Sequence, residues 1–202
     1  MRNFFKRLTG VMLMLTCSMT ALADTPQAPE TGDATRSDAL VVYFSNTGNT
    51  QAIAEMFAEA LGAELYRIEP EIPYTDADLD YNDDDSRANR EMSDPSCRPA
   101  LAGEPLAGMD GYQTVYLGYP IWWGEAPRII STFLESYDFD GKTIVPFCTS
   151  GSSGIGQSAS HLAALTGETV NWAAGARFSA DTALEDIEQW LRDNGHIRSE
   201  AQ

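Results

Sequence analysis

A loop of hydroxyl, amide and glycine residues lies where the chain changes from strand-like to helix-like spacing. The loop follows the apolar run 39–44 and precedes the helical pattern of residues 51–62, and it consists of Ser45, Asn46, Thr47, Gly48, Asn49 and Thr50. A strand that enters such a loop before a helix directs backbone N–H groups, hydroxyls and the positive end of a helix dipole at one point. This chemistry suits a bound phosphate, although the same residue types also suit an ordinary helix cap.

The loop does not match the standard motifs for phosphoryl transfer or for dinucleotides. It lacks both the Gly-Lys-Ser/Thr ending of nucleoside triphosphate loops and the three-glycine spacing of dinucleotide-binding loops. It also contains no lysine or arginine. Neutral donors fit a phosphate monoester that is held and not chemically transferred, so the pattern favours a phosphorylated ligand that stays bound.

A second loop, also between a strand-like and a helix-like segment, is rich in aromatic residues. It consists of Pro120, Ile121, Trp122, Trp123 and Gly124. Two adjacent tryptophans cannot both face one core, so at least one of them is predicted to form a stacking wall for a flat ring. The glycine leaves the adjoining backbone free to approach a ligand or to flip.

A third loop in the same structural position is built from small residues. Its candidate ligand-binding residues are Thr149, Ser150, Gly151, Ser152 and Gly154. Small side chains let a ring lie against backbone N–H and C=O groups, although they also suit a simple turn. The loop lacks the Gly-x-Ser-x-Gly spacing of a nucleophile elbow, so it gives no sign of a catalytic serine.

Strand-like and helix-like segments alternate along the chain. Apolar or alternating runs predict five strands, at 40–44, 63–68, 114–118, 143–148 and 169–173. Helical spacing predicts helices at 51–62, from Pro127 onward, at 157–165 and at 182–194. This alternation predicts a three-layer, doubly wound α/β fold with a five-stranded parallel sheet, and it brings the three loops to one edge of the sheet.

The ends of two predicted helices carry specific signals. Gly62 stands where a helix C-terminus favours a left-handed residue, and Gly195 does the same for the last helix. Thr182 and Glu185 have the spacing of a capping box. The last helix is therefore predicted to begin at Thr182.

The stretch 70–111 has no clear periodicity and is rich in aspartate. A calcium-binding loop starting at Asp76 is excluded, because its sixth position is Tyr81 where a glycine is needed and its twelfth is Arg87 where a glutamate is needed. We therefore predict a solvated acidic loop that contains a short helix at 86–92.

The N-terminus and the net charge bear on location and partners. Residues 1–23 combine a basic start, a short apolar core and an Ala-Leu-Ala ending, which predicts a signal peptide and export, with the periplasm as the expected compartment. Residues 24–38 are predicted to be a flexible lead-in, and 39–202 one domain. The formal charge of −17 disfavours nucleic acid and anionic membranes and favours a positively charged partner.

The cysteines and histidines form no catalytic pattern. After removal of the leader, Cys97 and Cys148 remain, and they are either paired or two separate thiols, one of them buried at a strand end. His161 falls in a helix, where a structural role is favoured, and His196 follows the last helix, where a cation would suit the helix dipole. Neither histidine has a serine partner in the sequence, so hydrolysis is disfavoured.

Three motifs, taken together, resemble a known family. The chain from 39 to 195 resembles the flavodoxin family, most closely its short-chain, FMN-binding members, through Val42-Tyr43-Phe44-Ser45-Asn46-Thr47-Gly48-Asn49-Thr50, Gly118-Tyr119-Pro120-Ile121-Trp122-Trp123-Gly124 and Phe147-Cys148-Thr149-Ser150-Gly151-Ser152-Ser153-Gly154. The resemblance implies noncovalent FMN, with 45–50 at the phosphate, 120–124 lining the isoalloxazine and 149–154 closing its other side. No metal site and no catalytic residue are implied.

The chain departs from the family pattern in three places. Its third loop has no aromatic residue, so one ring face is expected to be open. The acidic stretch stands where a helix would ordinarily cross, and a leader is unusual for a family found mostly in the cytoplasm.

The resemblance leaves three functional hypotheses. The first is a low-potential electron carrier that meets a redox partner protein with a basic docking face. The second is an FMN-dependent quinone or small-molecule reductase that takes electrons in pairs. The third is a non-redox phosphate-binding module that has lost the flavin.

Overall fold

The computed structural model describes residues 37–198. The predicted signal peptide at 1–23, and all but the last two residues of the lead-in at 24–38, lie outside the described residues. Both remain predictions. Among residues 37–198, no helix is long and apolar enough to cross a membrane.

The strands form one parallel sheet. They are β1 (Ala39–Tyr43), β2 (Glu64–Arg67), β3 (Thr114–Pro120), β4 (Thr143–Thr149), β5 (Asn171–Trp172) and β6 (Ala176–Phe178). The order across the sheet is β2-β1-β3-β4-β5, and β6 also pairs with β4. The predicted doubly wound parallel sheet is confirmed. The direction of winding reverses between β1 and β3, which is where ligands bind in such sheets.

The helices cover both faces of this sheet. They are α1 (Asn49–Leu61), α2 (Arg87–Ser93), α3 (Arg128–Ser136), α4 (Ser158–Ala163) and α5 (Leu184–Asp193), with short 3-10 turns at Ala77–Leu79 and Met109–Gly111. The short helix expected at 86–92 is present as α2. It lies in the crossover between β2 and β3, within the acidic stretch.

Two hydrophobic cores sandwich the sheet, because the residues of β1 alternate between its faces. Leu40 and Val42 pack into one core and Val41 and Tyr43 into the other. All four are buried. Burial on both faces explains why β1 reads as a continuous apolar run in the sequence.

The fifth strand differs from the prediction of one strand at 169–173. Ile144 of β4 pairs with Trp172, and Phe147 pairs with Ala176, so the fifth strand uses one residue more than β4 over this distance. Such an extra residue is a β-bulge.

A proline in β4 accounts for this bulge. Ala173 donates to the carbonyl of Ile144, so alternate residues of β4, including Pro146, turn their backbone polar groups towards the fifth strand. Pro146 has no N–H to donate at that point. The ladder therefore breaks into β5 and β6.

The start of the last helix is also corrected. The helix begins at Leu184, and the carboxylate of Asp186 accepts a hydrogen bond from the Ala183 N–H at 3.3 Å. The hydroxyl of Thr182 instead accepts from the Ser179 N–H at 3.1 Å, so it belongs to the preceding turn. The predicted capping box of Thr182 and Glu185 is therefore wrong.

The two predicted helix stops are confirmed. Gly62 has φ 58° and Gly195 has φ 74°. Both values lie in the left-handed region that glycine adopts without strain.

His196 does not play the cationic role expected from its position. Its ring stacks on Trp190 at 5.3 Å and meets the edge of Tyr116 at 5.5 Å. Burial lowers the pKa of His196, which disfavours the charged imidazole. The half-buried histidine therefore packs as an aromatic ring against the edge of the core.

The two cysteines of the described chain are separate thiols. Cys148 is buried at the end of β4, and burial raises its pKa to about 12, against a smaller opposing effect of Arg177. Of the two possibilities that the sequence leaves open, the structure shows unpaired cysteines.

Candidate functional site

A cavity of about 620 Å³ lies at the carboxyl ends of β1, β3 and β4. Ten of the sixteen predicted ligand-binding residues line it, and all three predicted loops contribute. These ten are Ser45, Asn46, Thr47, Asn49, Pro120, Ile121, Trp122, Thr149, Ser150 and Gly151. The volume falls within the range typical of small-molecule sites.

The other six predicted residues lie around this cavity without lining it. They are Gly48, Thr50, Trp123, Gly124, Ser152 and Gly154. Gly48 has φ 87° and precedes the first residue of α1, and Thr50 is buried. Both residues therefore contribute to the conformation of the first loop and not to the cavity surface.

The first loop leaves donors free at the start of α1. The Gly48 N–H bonds to Ser45 Oγ at 3.1 Å, so the Ser45 hydroxyl keeps its own hydrogen for a ligand. Within residues 37–198, no side chain caps α1 at Gly48. The first amides of a helix have no partner inside it. This arrangement fits an anion better than the ordinary capped turn that was the alternative interpretation.

A hydrogen bond joins the first loop to the third. The hydroxyls of Thr50 and Thr149 lie 2.7 Å apart, and both residues are buried. Two hydroxyls that share one hydrogen bond still hold one unused hydrogen. Thr149 lines the cavity, so the pair both fixes the two loops and can present a donor.

The two adjacent tryptophans occupy different environments. Trp122 is buried and meets the ring edges of Phe44 at 5.8 Å and Tyr74 at 5.5 Å. Trp123 is 44% exposed and contacts Tyr81, with 4.6 Å between ring centroids. The tryptophan that lines the cavity is the buried Trp122, which is held rigidly by its aromatic neighbours.

The second loop ends in a tight hairpin. Trp122 and Glu125 exchange two backbone hydrogen bonds of 2.9 Å. The residues between them, Trp123 and Gly124, both have positive φ, 48° and 82°, which defines a type I′ turn. Flipping the central peptide would give a type II′ turn, whose first position requires glycine. Trp123 holds that position, so the backbone flip expected of Gly124 is opposed.

Several cavity residues were missed because they come from segments without a ligand-binding signature. From the acidic stretch come Asp76, Leu79 and Tyr81, and from the end of β6 come Arg177, Ser179, Ala180 and Asp181. Tyr81 supplies to the cavity an aromatic ring that the third loop lacks. The sequence offered one indication of this contribution, an aromatic residue, Tyr81, within a run of aspartates.

A small cluster anchors the acidic stretch to α2. The Tyr74 hydroxyl donates to Glu91 at 2.5 Å, and Arg87 Nε donates to the same carboxylate at 2.6 Å. The guanidinium carbon also lies 3.9 Å above the Tyr74 ring. Burial, followed by the bond to Glu91, raises the pKa of Tyr74. These contacts therefore fix the segment that carries Tyr81 at Tyr74 on one side and at α2 on the other.

Arg177 brings to the cavity a positive charge that the first loop, which has no lysine or arginine, does not supply. Its Nη2 donates to the carbonyls of Ser150 at 2.7 Å and Gly151 at 2.9 Å. Its Nε is buried and has no hydrogen-bond partner among the described residues. Hydrogen bonding from Ser179 lowers the pKa of the neighbouring Asp181, which keeps that carboxylate ionised. The cavity thus combines one guanidinium with two aspartates, Asp76 and Asp181.

These features define a class of protein: a doubly wound α/β domain with a phosphate-type loop and an aromatic wall at its topological switch point. The chain belongs to the flavodoxin family, whose sequence model matches residues 38–194. The comparison with curated proteins gave no match.

Solved structures support this assignment. A protein from Bacteroides eggerthii, provisionally assigned as a flavoprotein, is 45% identical with a TM-score of 0.72, covering 78% of this chain and 97% of that chain. A second such protein, from Bacteroides uniformis, is 44% identical with a TM-score of 0.73, covering 78% and 99%. A Lactobacillus acidophilus flavoprotein in complex with FMN shares the fold at 21% identity and a TM-score of 0.53, covering 75% and 97%.

Proposed function

We propose that this chain binds FMN in the cavity at the ends of β1, β3 and β4 and acts as a low-potential electron-transfer protein. The observation that carries this proposal is the convergence of an uncapped helix start, a tryptophan wall and a glycine-serine loop on one cavity of about 620 Å³. A flavoprotein of the same fold, from Lactobacillus acidophilus, forms a complex with FMN. When bound, FMN supplies the redox chemistry, so no side chain has to act as an acid or base.

The residues present fit each part of this cofactor. Ser45, Thr47 and the first amides of α1 would hold the phosphate, since they are neutral donors at the positive end of a helix. Trp122 would lie along the ring, and the loop from Thr149 to Gly151 would face it from the third strand end. These assignments follow from which residues line the cavity.

The charge near the cavity favours a low reduction potential. Asp76 and Asp181 line the cavity, and further aspartates follow at 78, 80 and 83–85. Negative charge disfavours the addition of electrons to a nearby cofactor. Arg177 opposes this effect, so the potential is set by the balance between this half-buried cation and the surrounding carboxylates.

Binding of FMN provides the first test. Titrating FMN with purified protein is expected to give a saturable quench of flavin fluorescence. Ser45→Ala and Thr47→Ala should each weaken binding about tenfold, because each removes a hydroxyl donor to a charged group. Thr169→Ala is the control, since its hydroxyl bonds to Asp140, outside the cavity. Protein that stays colourless after incubation with FMN would favour the non-redox module.

We also propose that the chain works in the periplasm, as the features of residues 1–23 indicate. Flavin absorbance in protein recovered from the periplasmic fraction, with a mature N-terminus at Asp24, would support cofactor and compartment together. Recovery of the protein only from the cytoplasm with residues 1–23 intact would reject this location.

A second candidate function is an FMN-dependent reductase of quinones or other small molecules. The feature that favours it is Arg177, because a cation beside the cavity stabilises added negative charge. A reductive titration separates the two: a carrier is expected to take up electrons in two resolved steps, and a reductase in one. Steady turnover with a nicotinamide and a quinone, without any partner protein, would decide for the reductase.

We further propose that an electron-transfer partner with a basic face docks beside the cavity. Tyr81 and Trp123 are 58% and 44% exposed and touch each other. Aspartates surround Tyr81 in the sequence. An aromatic pair bordered by carboxylates provides both a contact surface and long-range attraction for a positively charged protein.

Neutralising three of these carboxylates tests the docking surface. Asp83→Asn, Asp84→Asn and Asp85→Asn, combined, are expected to slow electron transfer to a basic c-type cytochrome about tenfold at low salt and to flatten its salt dependence. Asparagine keeps the turn in which Asp83 accepts from the Asp85 N–H. The matched control neutralises three exposed acids elsewhere, Glu168, Glu185 and Asp193. Equal slowing by both triple variants would mean that net charge, and not this surface, controls the encounter.

A further inference from the structure

A second cavity, of about 390 Å³, lies between the segment before Arg98, the start of α3 and the helix α4. Its polar lining includes Arg98, Arg128, Ser131 and His161. It shares no lining residue with the first cavity. The flavin proposal therefore does not account for it.

Two donors in this cavity have no protein partner. Ser131 is only 6% exposed, yet none of the side-chain hydrogen bonds within residues 37–198 involves its hydroxyl. Arg128 Nε is likewise buried without a partner among the described residues, although Nη2 of the same side chain donates to the Met92 carbonyl at 2.9 Å. Of the two donors only Arg128 Nε is fully covered by protein, and a covered donor without an acceptor is costly. The Ser131 hydroxyl is accessible from the cavity, where a ligand can accept its hydrogen bond.

The two donors lie on one face of α3. Arg128 is the first residue of this nine-residue helix, and Ser131 follows three positions later. Residues three apart on a helix are neighbours on its surface. The positive end of the helix dipole adds to the charge of the guanidinium here. An anion would satisfy the hydroxyl, the guanidinium and the helix start together.

The charge balance of the cavity limits the ligand to a small anion. Arg98 is already held by Glu135 through two hydrogen bonds of 2.8 Å, and His161 Nδ1 lies 2.9 Å from Glu125. No ion pair of the described chain involves Arg128. Arg128 therefore has no carboxylate in direct contact, although its charge helps to lower the pKa of Asp94 after larger effects of hydrogen bonds from Ser96. The cation is thus only partly compensated, which favours a ligand with a single negative charge.

We propose that the second cavity binds a small organic monocarboxylate. Its carboxylate would accept hydrogen bonds from the Arg128 guanidinium and the Ser131 hydroxyl, and its apolar part would lie against Leu162 and Leu165, which also line the cavity. A phosphate dianion fits less well, because its second charge would find no free cation and would face the carboxylate of Glu125. The cavity is also larger than a single inorganic ion needs.

Calorimetric titration of hexanoate into the FMN-incubated protein tests this site. We expect saturable binding with a stoichiometry of one, unchanged by the presence of FMN. Ser131→Ala should weaken this binding about tenfold, because it removes a donor to a charged group. Ser131→Ala breaks no native hydrogen bond, so the fold is kept. Ser136→Ala on the same helix is the control, since its hydroxyl bonds only to the Thr132 carbonyl.

A second variant and a second probe complete the test. Arg128→Gln should abolish hexanoate binding while leaving FMN binding intact, and inorganic phosphate should bind more weakly than hexanoate. The proposal is overturned by an absence of saturable binding up to about 10 mM hexanoate, by equal affinities of wild type and Ser131→Ala, or by tighter binding of phosphate. FMN binding is measured in the same samples, so failure of this site is distinguishable from failure of the flavin site.

Discussion

Replacing Gly175 with alanine is expected to lower the free energy of unfolding by about 3 kcal/mol, at the upper end of the usual cost of overpacking. A Cβ at this position would lie 2.5 Å from the Pro146 carbonyl oxygen and 2.6 Å from Ile155 Cδ1. The carbonyl is backbone in the middle of β4, so it cannot move aside as the end of a side chain can. Urea unfolding followed by circular dichroism measures the change.

Two further glycines calibrate this result. Gly111→Ala should change stability by less than about 0.5 kcal/mol, because a Cβ there meets nothing within 4 Å. Gly118→Ala should fall between the two, since the Cβ would lie 2.3 Å from Cζ of Phe147, a side chain that can yield only in part because it stacks on Phe57 at 4.4 Å. If Gly175→Ala is as stable as wild type, the close approach to β4 does not hold the two halves of the fifth strand in place.

The architecture could be predicted because its signals are local. A strand buried on both faces is a continuous apolar run, as in 40–44, and a helix that covers it shows residues at fourfold spacing, as with Ile53 and Phe57. Glycine in the left-handed region marks the helix end at Gly62. Each of these patterns can be recognised in a short window of sequence, without knowledge of what it packs against.

The errors occurred where a distant or competing group decides the local structure. The break in the fifth strand depends on Pro146, which lies about 25 residues earlier in the chain and faces that strand across the ladder. The capping box failed because Thr182 has a competing backbone partner, the Ser179 N–H, one turn earlier. Neither competition is visible in the spacing of the residues themselves.

The part of the cavity that is formed by loops at strand ends could be predicted from the sequence. The carboxyl ends of parallel strands meet at one edge, so the loops after β1, β3 and β4 had to converge once the fold was known. Tyr81 and Arg177 reach the same cavity by other routes, one from the acidic stretch and one from a strand created by the bulge. Their contribution follows from packing between segments that are far apart in the sequence.

Arg177→Met is expected to weaken FMN binding about a hundredfold. The substitution keeps most of the side-chain volume but removes the two hydrogen bonds to the Ser150 and Gly151 carbonyls, and hydrogen bonds from charged donors are the stronger kind. The loop that contains these carbonyls should then become mobile. Amide hydrogen exchange of residues 149–156 in the flavin-free protein measures that effect independently of the cofactor.

The same variant should lower the reduction potential of bound FMN. Removing a positive charge beside the cavity destabilises the reduced, more negative cofactor. If the affinity for reduced FMN falls tenfold relative to the affinity for oxidised FMN, the potential falls by about 60 mV for a one-electron step. Arg192→Met is the matched control, because Arg192 lies on the surface of α5 and pairs with Glu188. It should change neither the affinity nor the potential.

Arg177→Lys separates the charge from the hydrogen bonds. Lysine keeps the positive charge but lacks the planar fork of the guanidinium, so it cannot reproduce the pair of bonds to adjacent carbonyls. We expect a potential close to that of wild type together with rapid hydrogen exchange in residues 149–156. If Arg177→Lys instead lowers the potential as far as Arg177→Met does, the ordering of the third loop, and not the cation, sets the energy of the added electrons.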